Sequence, residues 1–136
     1  MWKREDMQAV NPGTLARPRG YNHGMIRGGR TLFVAGQIGW TADGTLVSDR
    51  FADQFDQALA NVLAVVSEAG GSAETIGRLT IYVVDKTEYL DAQREIGEQY
   101  RARMGRHYPA MTLVVVKSLL EPGAMVEIEA TAVVPE

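Results

Sequence analysis

The chain has 136 residues, 46% apolar and 23% charged, with a net charge of -3. That length accommodates one domain over 1–136 with a real core, and the slight acidity gives no electrostatic reason to expect nucleic acid or an anionic membrane surface as a partner. The absence of cysteine excludes disulfides, thiolate metal sites and a cysteine nucleophile, and no apolar run approaches the roughly 20 residues that span a bilayer.

The start, Met1-Trp2-Lys3-Arg4-Glu5-Asp6, is polar and leads into no long apolar segment. No signal peptide is expected, and the cytoplasm is the expected compartment. Met7 to Val10 reads as a short strand, broken by Asn11-Pro12-Gly13 because proline lacks a donor and glycine admits positive φ. His23 to Arg27 is a second strand candidate. Gly28-Gly29 predicts a tight hairpin turn into Thr31-Leu32-Phe33-Val34-Ala35-Gly36.

The first helix is the clearest element. Phe51, Phe55, Ala58, Leu59, Val62, Leu63 and Val66 recur at three- and four-residue spacing, which makes one apolar stripe. Asp49 or Ser48 is its expected cap, and Gly70-Gly71 its stop. Ser72 to Ile76 reads as a short helical turn. Arg78 to Val84 is rich in β-branched and aromatic residues and reads as a strand.

A second helix is expected from the capping-box spacing of Asp85 and Glu88, with Thr87 as an alternative cap, to Gly105. Tyr89, Gln93, Ile96, Tyr100 and Met104 share one of its faces. Tyr108-Pro109-Ala110-Met111-Thr112 then enters the apolar run Leu113 to Val116. After a Leu-Leu-Glu-Pro-Gly turn at 119–123, the strand Val126 to Ala132 alternates apolar with polar. The order predicts an α+β fold: a single mixed sheet with two helices packed on one face. The other face carries Glu127, Glu129 and Thr131 but is otherwise too apolar to stay wet, so it is expected to be shared with another subunit.

These residues resemble a known family. Gly29-Arg-Thr-Leu-Phe-Val-Ala-Gly-Gln-Ile-Gly39 resembles the "G-x-x-x-x-x-S-G-Q-I" hairpin of the RidA/YjgF (Rid) family. Phe55-x-Gln57-Ala58-Leu59-x-Asn61-Val62 resembles its first-helix motif, and Tyr82-Val83-Val84-Asp85 a strand end. Tyr108 to Thr112 stands where that family has "P-A-R-T/S", and Leu119 to Ala132 resembles its "V-E-I-E-A-I-A" ending. The resemblance runs from about Tyr21 to Val134. It implies a chorismate-mutase-like fold and a homotrimer whose sheets form a central barrel, with small-molecule clefts between subunits. Enzymatic members hydrolyse reactive enamines or imines and release ammonia, using no metal or organic cofactor.

Residue by residue, the resemblance implies Glu127 as the group that handles water or protons. It implies Tyr21, Ala35, Gly36, Gln37, Gln93, Pro109, Ala110, Met111 and Leu113 as the lining of the cleft. The chain departs from the family at telling places. Met111 stands where an arginine holds the substrate carboxylate, and a thioether cannot replace a two-point guanidinium fork. Ala35 replaces a serine, Leu113 a frequent cysteine and Gln93 a frequent asparagine. The expected activity is therefore deamination of an atypical imine, enamine or related C–N compound. The alternative is a non-catalytic trimer that binds a metabolite or partner.

Each residue also has a plainer reading. Glu127 and Glu129 share a strand face and would serve as solvated or ion-paired carboxylates, Glu129 with an arginine. Tyr21 would close a subunit contact, Gln37 would satisfy backbone near the hairpin, and Gly36 would permit close approach. His23 and His107 lack metal-ligand spacing, and His107 reads as a surface loop residue.

Overall fold

In the computed structural model, which describes residues 4–136, the chain runs β1 (Gln8–Val10), β2 (Gly24–Ile26), β3 (Arg30–Gln37), α1 (Phe51–Glu68), a 3-10 turn (Ala73–Thr75), β4 (Ile76–Val83), α2 (Lys86–Asp91), α3 (Gln93–Met104), β5 (Ala110–Val115) and β6 (Val126–Val134). The first three residues of the polar start, read above as no signal peptide, lie outside the described residues.

Four strands form a mixed sheet in the order β3-β6-β4-β5. Strand β6 is antiparallel to both its neighbours, while β4 and β5 run parallel. The alternation in β6 explains its central place. Val126, Ile128, Ala130, Ala132 and Val134 are buried beneath the helices, whereas Glu127, Glu129, Thr131 and Val133 are half-exposed on the opposite face. One apolar face is enough to anchor α1, whose Phe51, Phe55, Ala58, Leu59, Val62 and Val66 complete the core. Each large apolar side chain removed from water there contributes about 1.5–3 kcal/mol before the entropy cost of ordering it. Ile96, Tyr100 and Met104 of α3 join the same core.

Helix α1 ends where a left-handed residue is needed, at Gly70 with φ of +89°. Its start differs from expectation. The cap position is Arg50, whose side chain makes no capping bond. Ser48 acts one step earlier: its Oγ accepts the Arg50 N–H at 3.0 Å and donates to Asp53 at 2.9 Å. At the start of α2 the cap is Asp85, which accepts the Glu88 N–H at 3.1 Å.

The fold corrects three expectations. The Gly28-Gly29 hairpin does not form: β2 pairs with β1, and β3 pairs with β6 from Arg30↔Val134 onward. Pairing with β6 places Leu32 and Val34 against the core, a gain that a solvent-facing hairpin would forgo. Consequently β1 and β2 make a separate two-stranded ribbon rather than part of a single sheet. The third correction is to the helix count. The expected second helix is interrupted at Ala92 (φ -95°, ψ 2°), which gives three α-helices among the described residues; the Ala92 N–H is shared between the carbonyls of Glu88 and Tyr89.

Among the described residues no layer covers the whole sheet face away from the helices: Phe33 on the β3 edge is 81% exposed there and Val114 on the β5 edge 40%.

Candidate functional site

The residues singled out in the sequence fall into two groups at opposite edges of the sheet. The first group lies on β3 and the neighbouring β6. A β carbon on Gly36 would stand 2.8 Å from the Glu127 carboxyl carbon, so the missing side chain is what lets the carboxylate lie against the β3 backbone. The pairing of β3 with β6 slips between Val34 and Gln37, at the same place. Ala35 is exposed, and its carbonyl accepts a 3.1 Å bond from the Gln37 amide.

Glu129, two residues along β6, accepts a 2.6 Å bond from the Tyr82 hydroxyl. Its partner is therefore a phenol and not an arginine. That bond, more than burial, holds the Tyr82 pKa above its ordinary value.

The second group surrounds the edge strand β5. Met111 and Leu113 face the helices and pack against the core margin. Met111 lines a cavity of about 190 Å³ between β5 and the helices, with Gln93 at the first turn of α3 and Ile81 on the floor. Tyr100 and Tyr108 form one wall, stacked with ring centroids 5.4 Å apart. Tyr100 is tied down by donating to the His107 carbonyl at 2.7 Å. Burial, and then the neighbouring Tyr108, push its phenol pKa well up.

Tyr21 stands at 36% exposure in an adjoining open groove of about 590 Å³, which shares Gly20 and Tyr108 with the smaller cavity. The segment is pinned to β5 by Asn22. Its N–H donates to the Pro109 carbonyl at 3.2 Å, and its side chain to the Tyr108 carbonyl at 2.5 Å. Pro109 is buried, and Ala110 forms an isolated bridge with Asn22.

One copy of the chain does not bring the two groups together. Glu127 stands opposite Tyr82 on β4, and Met111 opposite Leu79. They are separated by two strand spacings across the sheet and three residues along it, roughly 10 Å in each direction. They also project from opposite faces.

Both histidines are structural. His107 Nε2 donates to the Ile76 carbonyl at 2.7 Å, and His23 Nε2 to the Ala16 carbonyl at 2.7 Å; a carbonyl can only accept, so each ring carries its proton there. His107 is half-buried rather than a surface loop residue.

Gln54 is a residue the sequence reading passed over. It is fully buried on the α1 face that carries Phe51 and Ala58. Its amide donates to the Ser48 carbonyl at 2.9 Å and the Gly123 carbonyl at 3.1 Å, and accepts the Met125 N–H at 2.8 Å. It thereby fixes the chain two residues before Glu127. A polar residue inside an apolar stripe was the available signal. Asn61 plays a similar part, donating to the carbonyls of Ile38 and Trp40 at 3.1 and 3.0 Å.

The family profile described as Endoribonuclease L-PSP matches residues 14–134. A RutC family protein of Pyrococcus horikoshii is 32% identical over 117 residues, covering 85% of this chain and 89% of the relative. A human protein named 2-iminobutanoate/2-iminopropanoate deaminase is 30% identical over 105 residues, covering 76% of this chain and 73% of its own. Among solved structures, a Rid family protein of Yersinia pestis superposes with a TM-score of 0.83 at 32% identity, covering 95% of this chain and 99% of the other.

Proposed function

Since this chain belongs to the endoribonuclease L-PSP family, the Rid/YjgF proteins, we propose that it hydrolyses a reactive imine or enamine at clefts formed between copies of itself. The observation that carries this reading is the division of the site. Gly36 and Glu127 lie toward the β3 edge, while Met111, Gln93 and Tyr21 lie at the β5 edge. Two edges of one sheet meet only when one copy is set beside another. A homotrimer closed into a barrel makes that juxtaposition three times and also covers Phe33 and Val114, whose exposure supports it.

In the proposed reaction Glu127 takes a proton from water as its oxygen bonds to the imine carbon. Glu127 passes that proton to the nitrogen; the new hydroxyl then gives up its proton, by way of Glu127, to the nitrogen as the C–N bond breaks and C=O forms, and ammonia leaves with the carbonyl product. Activated imines hydrolyse readily, so orientation and one carboxylate suffice. Met111, at the position that aligns with the family arginine, turns specificity away from the smallest imino acids.

The test is ammonia release from 2-iminopropanoate generated in place by an amino-acid oxidase. A slow rate above buffer is expected for the wild type. It is lost in Glu127→Gln and raised in Met111→Arg. No rate in either the wild type or Met111→Arg would overturn the enzymatic reading.

A second reading is favoured by the apolar pair Met111 and Leu113: the clefts bind a neutral metabolite without turnover. Thermal-shift screening separates the two, because a stabilising compound that is consumed on incubation counts against mere binding.

A further inference from the structure

The ridge of α3 that borders the Met111 cavity contains Gln93, Gly97 and Arg101, spaced four apart and so stacked on one helix face. Long helical side chains lean toward the N-terminal end of their helix, and Arg101 does so. A β carbon on Gly97 would lie 3.4 Å from its Nη1, 3.9 Å from Nη2 and 4.0 Å from Cζ. The guanidinium therefore spreads over the gap left by glycine, at the mouth of the cavity.

Elsewhere on the helices, arginines are engaged. Arg103 holds Asp56, Arg50 holds Asp53 and Glu95, and Arg94 lies near Glu98. Among the described residues the Arg101 side chain has neither an ion pair nor a hydrogen-bond partner. It is the cation of the cavity lining, whose other members include Phe55, Ile81, Tyr108 and Met111.

We propose that Arg101 is the anion anchor of this cavity, with Gln93 as a second donor, so that the site takes a small carboxylate carrying a flat apolar body. This rests on the reading of the Met111 cavity as the ligand site. A guanidinium forks onto a carboxylate from the helix side just as well as from a strand, and Met111 then packs against the ligand's apolar body. A cavity of about 190 Å³ matches a single ring, since one of about 150 Å³ admits benzene.

The probes are benzoate and benzamide, which share a ring and differ in charge. Binding is followed through the ¹³C-methyl signal of Met111, assigned with Met111→Leu, in wild type, Arg101→Gln and Arg101→Lys. Both probes are expected to shift that signal. Benzoate should bind about tenfold tighter than benzamide in the wild type, within about twofold in Arg101→Gln, and in between in Arg101→Lys, which keeps the charge but loses the fork. Equal binding of the two probes by the wild type, or a benzoate preference that survives Arg101→Gln, overturns the Arg101 assignment and leaves the cavity as the ligand site. A Met111 methyl that neither probe moves removes the cavity reading and this inference with it.

Discussion

Replacing Gln54 by leucine tests whether a single buried amide holds the end of the 119–125 loop and, through it, the start of β6. The change shortens the side chain by one heavy atom and leaves three groups without partners: the carbonyls of Ser48 and Gly123 and the N–H of Met125. Gly123 is exposed and recovers water, whereas Ser48 and Met125 are half-buried. Each buried group left unpaired costs about 1–3 kcal/mol. Burying the leucine offsets part of this, so a net loss of about 3 kcal/mol is expected. For a chain of this size that lowers Tm by about 10 °C. Urea unfolding monitored by tryptophan fluorescence measures the loss, and hydrogen exchange at Met125 should accelerate along with it. A loss below about 1 kcal/mol, or unchanged exchange at Met125, would refute the claim that this amide fastens the loop.

Gly36→Ala is expected to cost only about 1 kcal/mol, because the Glu127 side chain can swing off its rotamer; if Glu127 orients water, ammonia release should nevertheless fall as far as in Glu127→Gln. The Asp56–Arg103 fork joins α1 to α3 with bonds of 2.6 and 3.1 Å at the protein surface. A double-mutant cycle with Asp56→Asn and Arg103→Gln should give a coupling of about 0.5–1 kcal/mol that shrinks in high salt. Tyr100 and Tyr82 both have raised phenol pKa values, from burial and from the Glu129 hydrogen bond respectively. Their stabilisation is complete below the unfolded value near pH 10 and is lost as pH rises through the folded values. Urea unfolding between about pH 9 and 11.5 should show that decline, with a shallower slope in Tyr100→Phe.

Local pattern alone placed most of the elements. The three- and four-residue spacing from Phe51 to Val66 marked α1 because a helix turns every 3.6 residues. The alternation from Val126 to Ala132 marked β6 with Glu127 and Glu129 on one face, and the spaced motifs carried the family resemblance. Gly70 and Gly105 ended helices where a positive φ was needed. These features depend on residues a few positions apart, so they are written along the chain.

What depended on distant residues was decided only in the fold. Gly28-Gly29 looks the same whether β3 turns back on β2 or pairs with β6; burial of Leu32 and Val34 beneath α1 made the choice. Likewise, the site residues read as one set in sequence. Sheet order places Glu127 with Gly36 and Met111 with Gln93 and Arg101, on opposite faces and toward opposite edges. Strand order and side-chain facing are set by which apolar surfaces bury one another, and that competition leaves no mark on any short stretch of sequence.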